Sequence, residues 1–218
     1  MSKKPIIVFE GIECSGKSLH SSNVANYLKR KGINFIKIRE PGGNKNSEKI
    51  RKLILNNNSN FNKVTDLLLY LAARNENIEN TIKQNVGKKV ILIDRFIDST
   101  VAYQHYGMNI DINFINTINQ FLIKKIKVNF TFLHLVNKKN IQLRLSTRKK
   151  LNRYDKFKML FYKNVQSGYK RIANKNKTKY LKINSNLDIS TNKKIIINKI
   201  NELTKWIQIL LYKQNFMV

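Results

Sequence analysis

Five short apolar runs punctuate the chain, at residues 5–10, 34–38, 90–94, 129–136 and 179–184, each rich in Ile, Val, Phe or Leu. Runs of this length and composition predict strands buried in a parallel sheet. Between them the spacing turns helical. Residues 63–85 carry Val64, Leu67, Leu68, Leu71, Ala72, Ile78 and Ile82 at helical intervals, and residues 188–212 carry Ile195, Ile196, Ile200, Leu203, Ile207 and Leu210. Residues 17–31 and 111–124 also read as helices, and Asn56–Asn60 reads as a local loop. Alternating strands and helices imply one α/β domain: an open five-stranded parallel sheet with helices on both faces. In such sheets ligands bind beyond the carboxyl ends of the strands, so the residues that follow each strand matter most.

The first strand runs into Gly11-Ile12-Glu13-Cys14-Ser15-Gly16-Lys17-Ser18. This is the Gly-x-x-x-x-Gly-Lys-Ser spacing of a phosphate loop. Gly11 and Gly16 let backbone N–H groups turn in around a phosphate, Lys17 reaches the β- and γ-phosphates, and the Ser18 hydroxyl can bind Mg²⁺. The chain is therefore expected to have a P-loop NTPase-like fold and to handle a nucleoside triphosphate.

The second strand leads into Arg39-Glu40-Pro41-Gly42-Gly43, a sharp turn headed by an arginine. The third leads into Asp94-Arg95-Phe96. An Asp at that place is suited to hold Mg²⁺, and Arg95 to grip a second phosphate group. Arg95, Ser99 and Tyr103 are spaced to share a helix face, and Tyr70 and Arg74 lie one turn apart on another. A ring and a guanidinium so placed suit a base and a monophosphate, or equally a core edge and a solvated charge. Arg144, Arg148, Lys149, Lys150 and Arg153 mark a basic stretch, residues 144–156, read as a lid over the triphosphate. His20, His105 and His134 have no metal-ligand spacing; His105 is expected near the substrate, and His134 in a buried strand.

Composition adds limits. The 218 residues are 42% hydrophobic, with no apolar run long enough to span a bilayer. The N-terminus enters the first strand directly, leaving no room for a signal peptide. Cys14 is the only cysteine, so no internal disulfide forms, and a reducing cytoplasm is the expected location. The net charge of +29 comes with abundant Lys, Asn and Ile spread along the chain, the signature of A/T-rich codons rather than of a nucleic-acid site. No specific nucleic-acid partner and no membrane are expected, although the positive field would attract nucleotides and hold RNA weakly at low salt.

Taken together, four segments resemble the thymidylate kinases, P-loop enzymes that phosphorylate dTMP. They are the phosphate loop with its preceding Phe9-Glu10, the Arg39–Gly43 turn, Tyr70-Leu71-Ala72-Ala73-Arg74, and Asp94-Arg95-Phe96 with Ser99, Ala102, Tyr103 and Gln104. The likeness runs nearly end to end and implies transfer of the ATP γ-phosphate to dTMP with Mg²⁺. It implies ATP on Gly11 to Ser18, and Mg²⁺ at Ser18, Asp94 and Glu13, with Glu13 also near the sugar. It implies the dTMP phosphate among Arg39, Arg74 and Arg95, and thymine against Tyr70, with Thr100 and Gln104 on its edge. Tyr103 would crowd the sugar 2′ position, beside Ser99. With Cys14 in the loop where some relatives carry an arginine, the catalytic arginine falls to the lid, to Arg148 or Arg153, as in the bacterial type. A homodimer is implied as well. Phe96 departs from the Tyr or His common there, and His105-Tyr106 from a glycine-rich segment. The alternatives are another nucleotide or nucleoside kinase, or a nucleic-acid binder with a vestigial phosphate loop.

Overall fold

The computed structural model describes residues 4–124 and 126–215. The five apolar runs form strands β1 (Ile6–Gly11), β2 (Phe35–Arg39), β3 (Val90–Asp94), β4 (Phe130–Leu135) and β5 (Tyr180–Asn184). All pair in parallel, in the order β2-β3-β1-β4-β5, with Val8 of β1 opposite Ile93 of β3 and Thr131 of β4. β1 and β3 are buried from end to end, which explains their unbroken apolar sequence.

Alternate residues of β1 build two different cores. Ile7 and Phe9 join Leu92, Phe130 and Phe132 beneath two helices, α1 (Lys17–Arg30) and α9 (Ile189–Asn215). From them come Val24 and Leu28, and Ile196 and Ile200. Ile6 and Val8 face the other way, onto Ile38, Ile91, Ile93 and Phe96. Glu10 lies on that second side and is fully buried there.

Two more helices wall the cleft beyond β2: α2 (Lys45–Leu55) and α3 (Lys63–Asn77), packed on each other. The single helix expected over 63–85 is continuous but widens in a π-helical turn at Ile78–Ile82 before a last turn, α4 (Lys83–Asn85). After β3, a short helix α5 (Ile97–Thr100) opens into a second π-helical stretch, Val101–Gly107. Then come α6 (Ile112–Ile123), α7 (Lys138–Ser146) and α8 (Met159–Lys175). Gly168 of α8 lets the π stretch close in, because a Cβ there would stand 2.4 Å from the Tyr106 ring. No described helix is long and apolar enough to cross a membrane.

Candidate active site

β1 ends at Gly11, where the backbone must leave the sheet over β4. A Cβ at Gly11 would stand 2.6 Å from the carbonyl oxygen of His134, and its φ is +145°. Only glycine permits that approach. The loop turns again at Cys14 (φ 56°) and Gly16 (φ 83°), which leads into α1. Cys14 is held in this left-handed conformation while its carbonyl accepts from Arg144 Nη1 at 2.9 Å. Beneath the loop, His134 stacks on His20 with ring centroids 5.5 Å apart. Burial, and then the charges of His20 and Lys17, push His134 down to about 3, so the floor of the site is neutral. This agrees with the structural role expected of His134.

Lys17 is buried, and its Nζ lies 3.4 Å from the Ile12 carbonyl. Desolvation lowers its pKa to about 8, with Arg95 pushing the same way and Asp94, Glu13 and Glu10 opposing. Ser18 Oγ donates to Asp94 Oδ2, while Asp94 Oδ1 is buried without a partner among the described residues. A hydroxyl beside an open carboxylate oxygen fits a magnesium ion, which takes one or two protein oxygens and fills its shell with phosphate and water. No group of three acidic, His or Cys ligands exists among the described residues.

Arg95 also sits in a left-handed conformation (φ 70°), which brings its guanidinium back over the cleft. Its Nη2 donates to Glu13 Oε1 at 2.9 Å, its Nη1 reaches Tyr169 Oη at 3.3 Å, and its charge lies 5.0 Å from the Tyr103 ring centroid. Tyr103 Oη donates to the second oxygen of Glu13 at 2.5 Å. Both Glu13 oxygens are thus engaged, one by Arg95 and the other by Tyr103. The turn that holds Arg95 rests on Glu10, which accepts from Phe96 N (2.8 Å), Ser99 Oγ (2.6 Å) and Tyr169 Oη (3.0 Å). Burial, and then the charge of Asp98, raise Glu10 to about 7.

One cleft of about 600 Å³ takes in almost every residue singled out in the sequence. Glu13 to Ser18, Arg39, Tyr70, Arg74, Asp94, Arg95, Ser99, Thr100, Tyr103, Gln104 and Arg148 all line it, over Gly11 and the buried Ile12. Arg74 is fixed in place, donating to Glu40 Oε2 (2.8 Å), Asn119 Oδ1 (2.7 Å) and the Phe96 carbonyl (2.9 Å). Arg39 is exposed at the mouth and forks onto Glu48.

Two residues named in the sequence lie outside the cleft lining. Arg153 does not line the cleft: it pairs with Asp66 of α3 and donates to the Ile54 carbonyl at 3.0 Å. His105 does not line it either. One position beyond Gln104, it turns to the far side of the π stretch, where Nδ1 meets the Ile110 carbonyl at 2.9 Å. The sequence reading also missed Arg51, on α2, which lines the cleft and donates to the Pro41 carbonyl at 2.7 Å. It missed the far end as well, where Ser185, Leu187 and Asn192 follow β5. Their place after a strand was the one signal available.

The sequence matches the thymidylate kinase family profile over residues 9–196. The chain belongs to the thymidylate kinase family. It is 36% identical to the thymidylate kinase of Sulfurihydrogenibium sp. (strain YO3AOP1), over 90% of this chain and 96% of that one. It is 39% identical to that of Thermosipho africanus (strain TCF52B), over 77% and 83%. The crystal structure of thymidylate kinase from Ehrlichia chaffeensis superposes with a TM-score of 0.75 at 31% identity, covering 92% of this chain and 99% of that one. Within this thymidylate kinase fold the departure at Phe96 has a local partner: the Arg74 guanidinium lies over the Phe96 ring, 5.3 Å from its centroid.

Proposed function

We propose that the protein transfers the γ-phosphate of ATP to dTMP, giving dTDP and ADP for dTTP synthesis. One observation carries this reading. A single cleft joins a phosphate loop at one end to a pocket with an aromatic wall and fixed arginines at the other. The acceptor phosphate would meet Arg39, Arg74 and Arg95, with Arg51 beside them, and thymine would lie on Tyr70 near Thr100 and Gln104. Tyr103, tied to Glu13, would narrow the space at the sugar.

Phosphoryl transfer asks the protein mainly for alignment and charge. Lys17 would bridge the donor phosphates. Arg95, braced by Glu13 and the Glu10 turn, would hold the accepting oxygen in line. No strong base is needed, because the accepting phosphate is already an anion. Arg148, half-exposed over the loop, would complete the charge on the transferring group when the lid closes and water is excluded. Ser18 and Asp94 would hold Mg²⁺, which neutralises charge across the phosphates when bound. A cytoplasmic homodimer is the form we infer. The exposed apolar Val64 and Leu68 of α3, and Phe114 and Phe121 of the adjoining α6, support a self-association face.

A coupled ATP-consumption assay over dTMP, dUMP, dCMP, dGMP, AMP, UMP and thymidine tests the proposal. Turnover should prefer dTMP and fall at least a hundredfold in Lys17→Ala and Arg148→Ala, with the fold retained by circular dichroism. Preference for another acceptor would keep the kinase and discard the base-pocket roles. Folded protein that binds ATP yet turns over no acceptor would overturn the reading.

A further inference from the structure

The basic stretch after α7 is not uniformly loose. Its last residues, Asn152 to Asp155, form a capped 3₁₀ turn in which the Asn152 side chain accepts from the Tyr154 amide and Asp155 Oδ2 accepts from the Asn152 amide. That turn is fastened to the acceptor side through one carboxylate. Asp66, on α3 one turn before Tyr70, is buried to 2% exposure. One of its oxygens takes Arg153 Nη2, and the other takes Tyr154 Oη. The Tyr154 ring stands edge-on to Tyr70 with centroids 5.8 Å apart, and tilted against Tyr103 at 6.0 Å. On the opposite side of the same turn, buried Asp155 pairs with Arg148. The lid arginine and the acceptor wall therefore share one mount, and Asp66 joins it to α3.

We propose that Asp66 is a positioning residue that ties the lid to the acceptor helix, with Arg153 serving the tie and not the transferring phosphate. This rests on the acceptor site described above. The alternative for Arg153, contact with the phosphoryl group, would require it to leave a buried carboxylate with no cationic partner, which is costly in a water-poor interior. Holding Tyr154 against Tyr70 and Tyr103 sets the width of the acceptor pocket. Holding Asp155 sets where Arg148 starts its closing motion. Losing the tie should loosen both sites in binding while leaving the transition-state contacts available once both substrates are bound.

The test compares Asp66→Asn, Arg153→Ala, the conservative Tyr154→Phe, and Arg148→Ala as the phosphoryl-contact control. The tie predicts that Asp66→Asn and Arg153→Ala each raise KM for dTMP about tenfold while kcat falls less than threefold. Tyr154→Phe should give a smaller rise of the same kind. The double variant Asp66→Asn/Arg153→Ala should be no worse than the more affected single one. Limited trypsin digestion gives a readout independent of catalysis: Lys149-Lys150 should be cut in every form, and Arg153 only in the Asp66 and Tyr154 variants. A fall in kcat of a hundredfold or more in Arg153→Ala with KM unchanged would overturn the proposal. So would Asp66→Asn with wild-type KM and wild-type cleavage. A wild-type chain without turnover, whose Asp66 variant nonetheless opens Arg153 to trypsin, would sink the kinase reading and keep the tie.

Discussion

Lys17 is a cation buried against another cation. Its ammonium is buried beside Arg95, and that lowers its pKa from 10.5 to about 8. The unfolded chain keeps the proton up to the ordinary value, so the burial costs roughly 3 kcal/mol of stability below pH 8. That cost fades as pH rises from 8 to 10.5. Nucleotide phosphates favour the ammonium and should push the pKa back up in the complex. ATP binding at pH 8.5 to 9 should thus draw a proton from solvent, and affinity should fall as pH climbs through 8. Calorimetric titrations in two buffers of different ionisation enthalpy measure that uptake. Wild-type protein should show it, and Lys17→Arg should not; no uptake in the wild type would mean that the lysine stays charged when free. Much of this site was legible in the sequence because the chemistry dictates the residue type: Gly11 for close approach, Lys17 and Ser18 for phosphate and metal, Asp94 and Arg95 at a strand end. Arg148 and Arg153 were not separable there. Both are arginines in one polar stretch, and the decision lies with Asp66, 87 positions away from Arg153.

At the scale of elements, legibility followed how much of an element is buried. β1 and β3, buried throughout, announced themselves, and α3 was clear because Leu67 and Leu71 bury one face. α2, α7 and α8 went unassigned individually: α7 buries only Ile141, and Arg51 was hidden with α2. The π-helical turns left no trace either, since a single extra residue in a helical turn does not disturb apolar spacing over so short a run. α3 and α6 also expose what a soluble monomer normally covers. Val64 and Leu68 lie one turn apart on α3, Phe114 and Phe121 two turns apart on α6, and the two helices pack together. The protein should sediment as a dimer at micromolar concentration. Leu68→Asp with Phe121→Lys should convert it to folded monomer, whereas a wild-type monomer at that concentration would leave the face to another use.

Across the whole molecule the two kinds of basic residue part company. The chain has nine arginines and thirty-three lysines. Six of the arginines line the cleft, at 39, 51, 74, 95, 144 and 148, and among the described residues Lys17 is the only lysine that does. Arginine is fitted to bind phosphate in a fixed fork, while lysine is a mobile, strongly hydrated charge. The site has therefore kept the residue its chemistry needs while lysine has spread over the rest of the surface, as A/T-rich codons would produce. Such a surface has no geometry for reading bases, but it must attract polyanions through the summed field. A labelled RNA of arbitrary sequence should bind at 20 mM salt and be released by about 200 mM, with the same salt slope for unrelated sequences. Turnover of ATP and dTMP should persist across that range, because Arg74 and Arg95 are held by short contacts in the buried part of the cleft, which salt screens poorly. RNA binding that survived 200 mM salt or favoured one sequence would show instead that the lysines form a recognition surface, and that codon bias does not account for the charge.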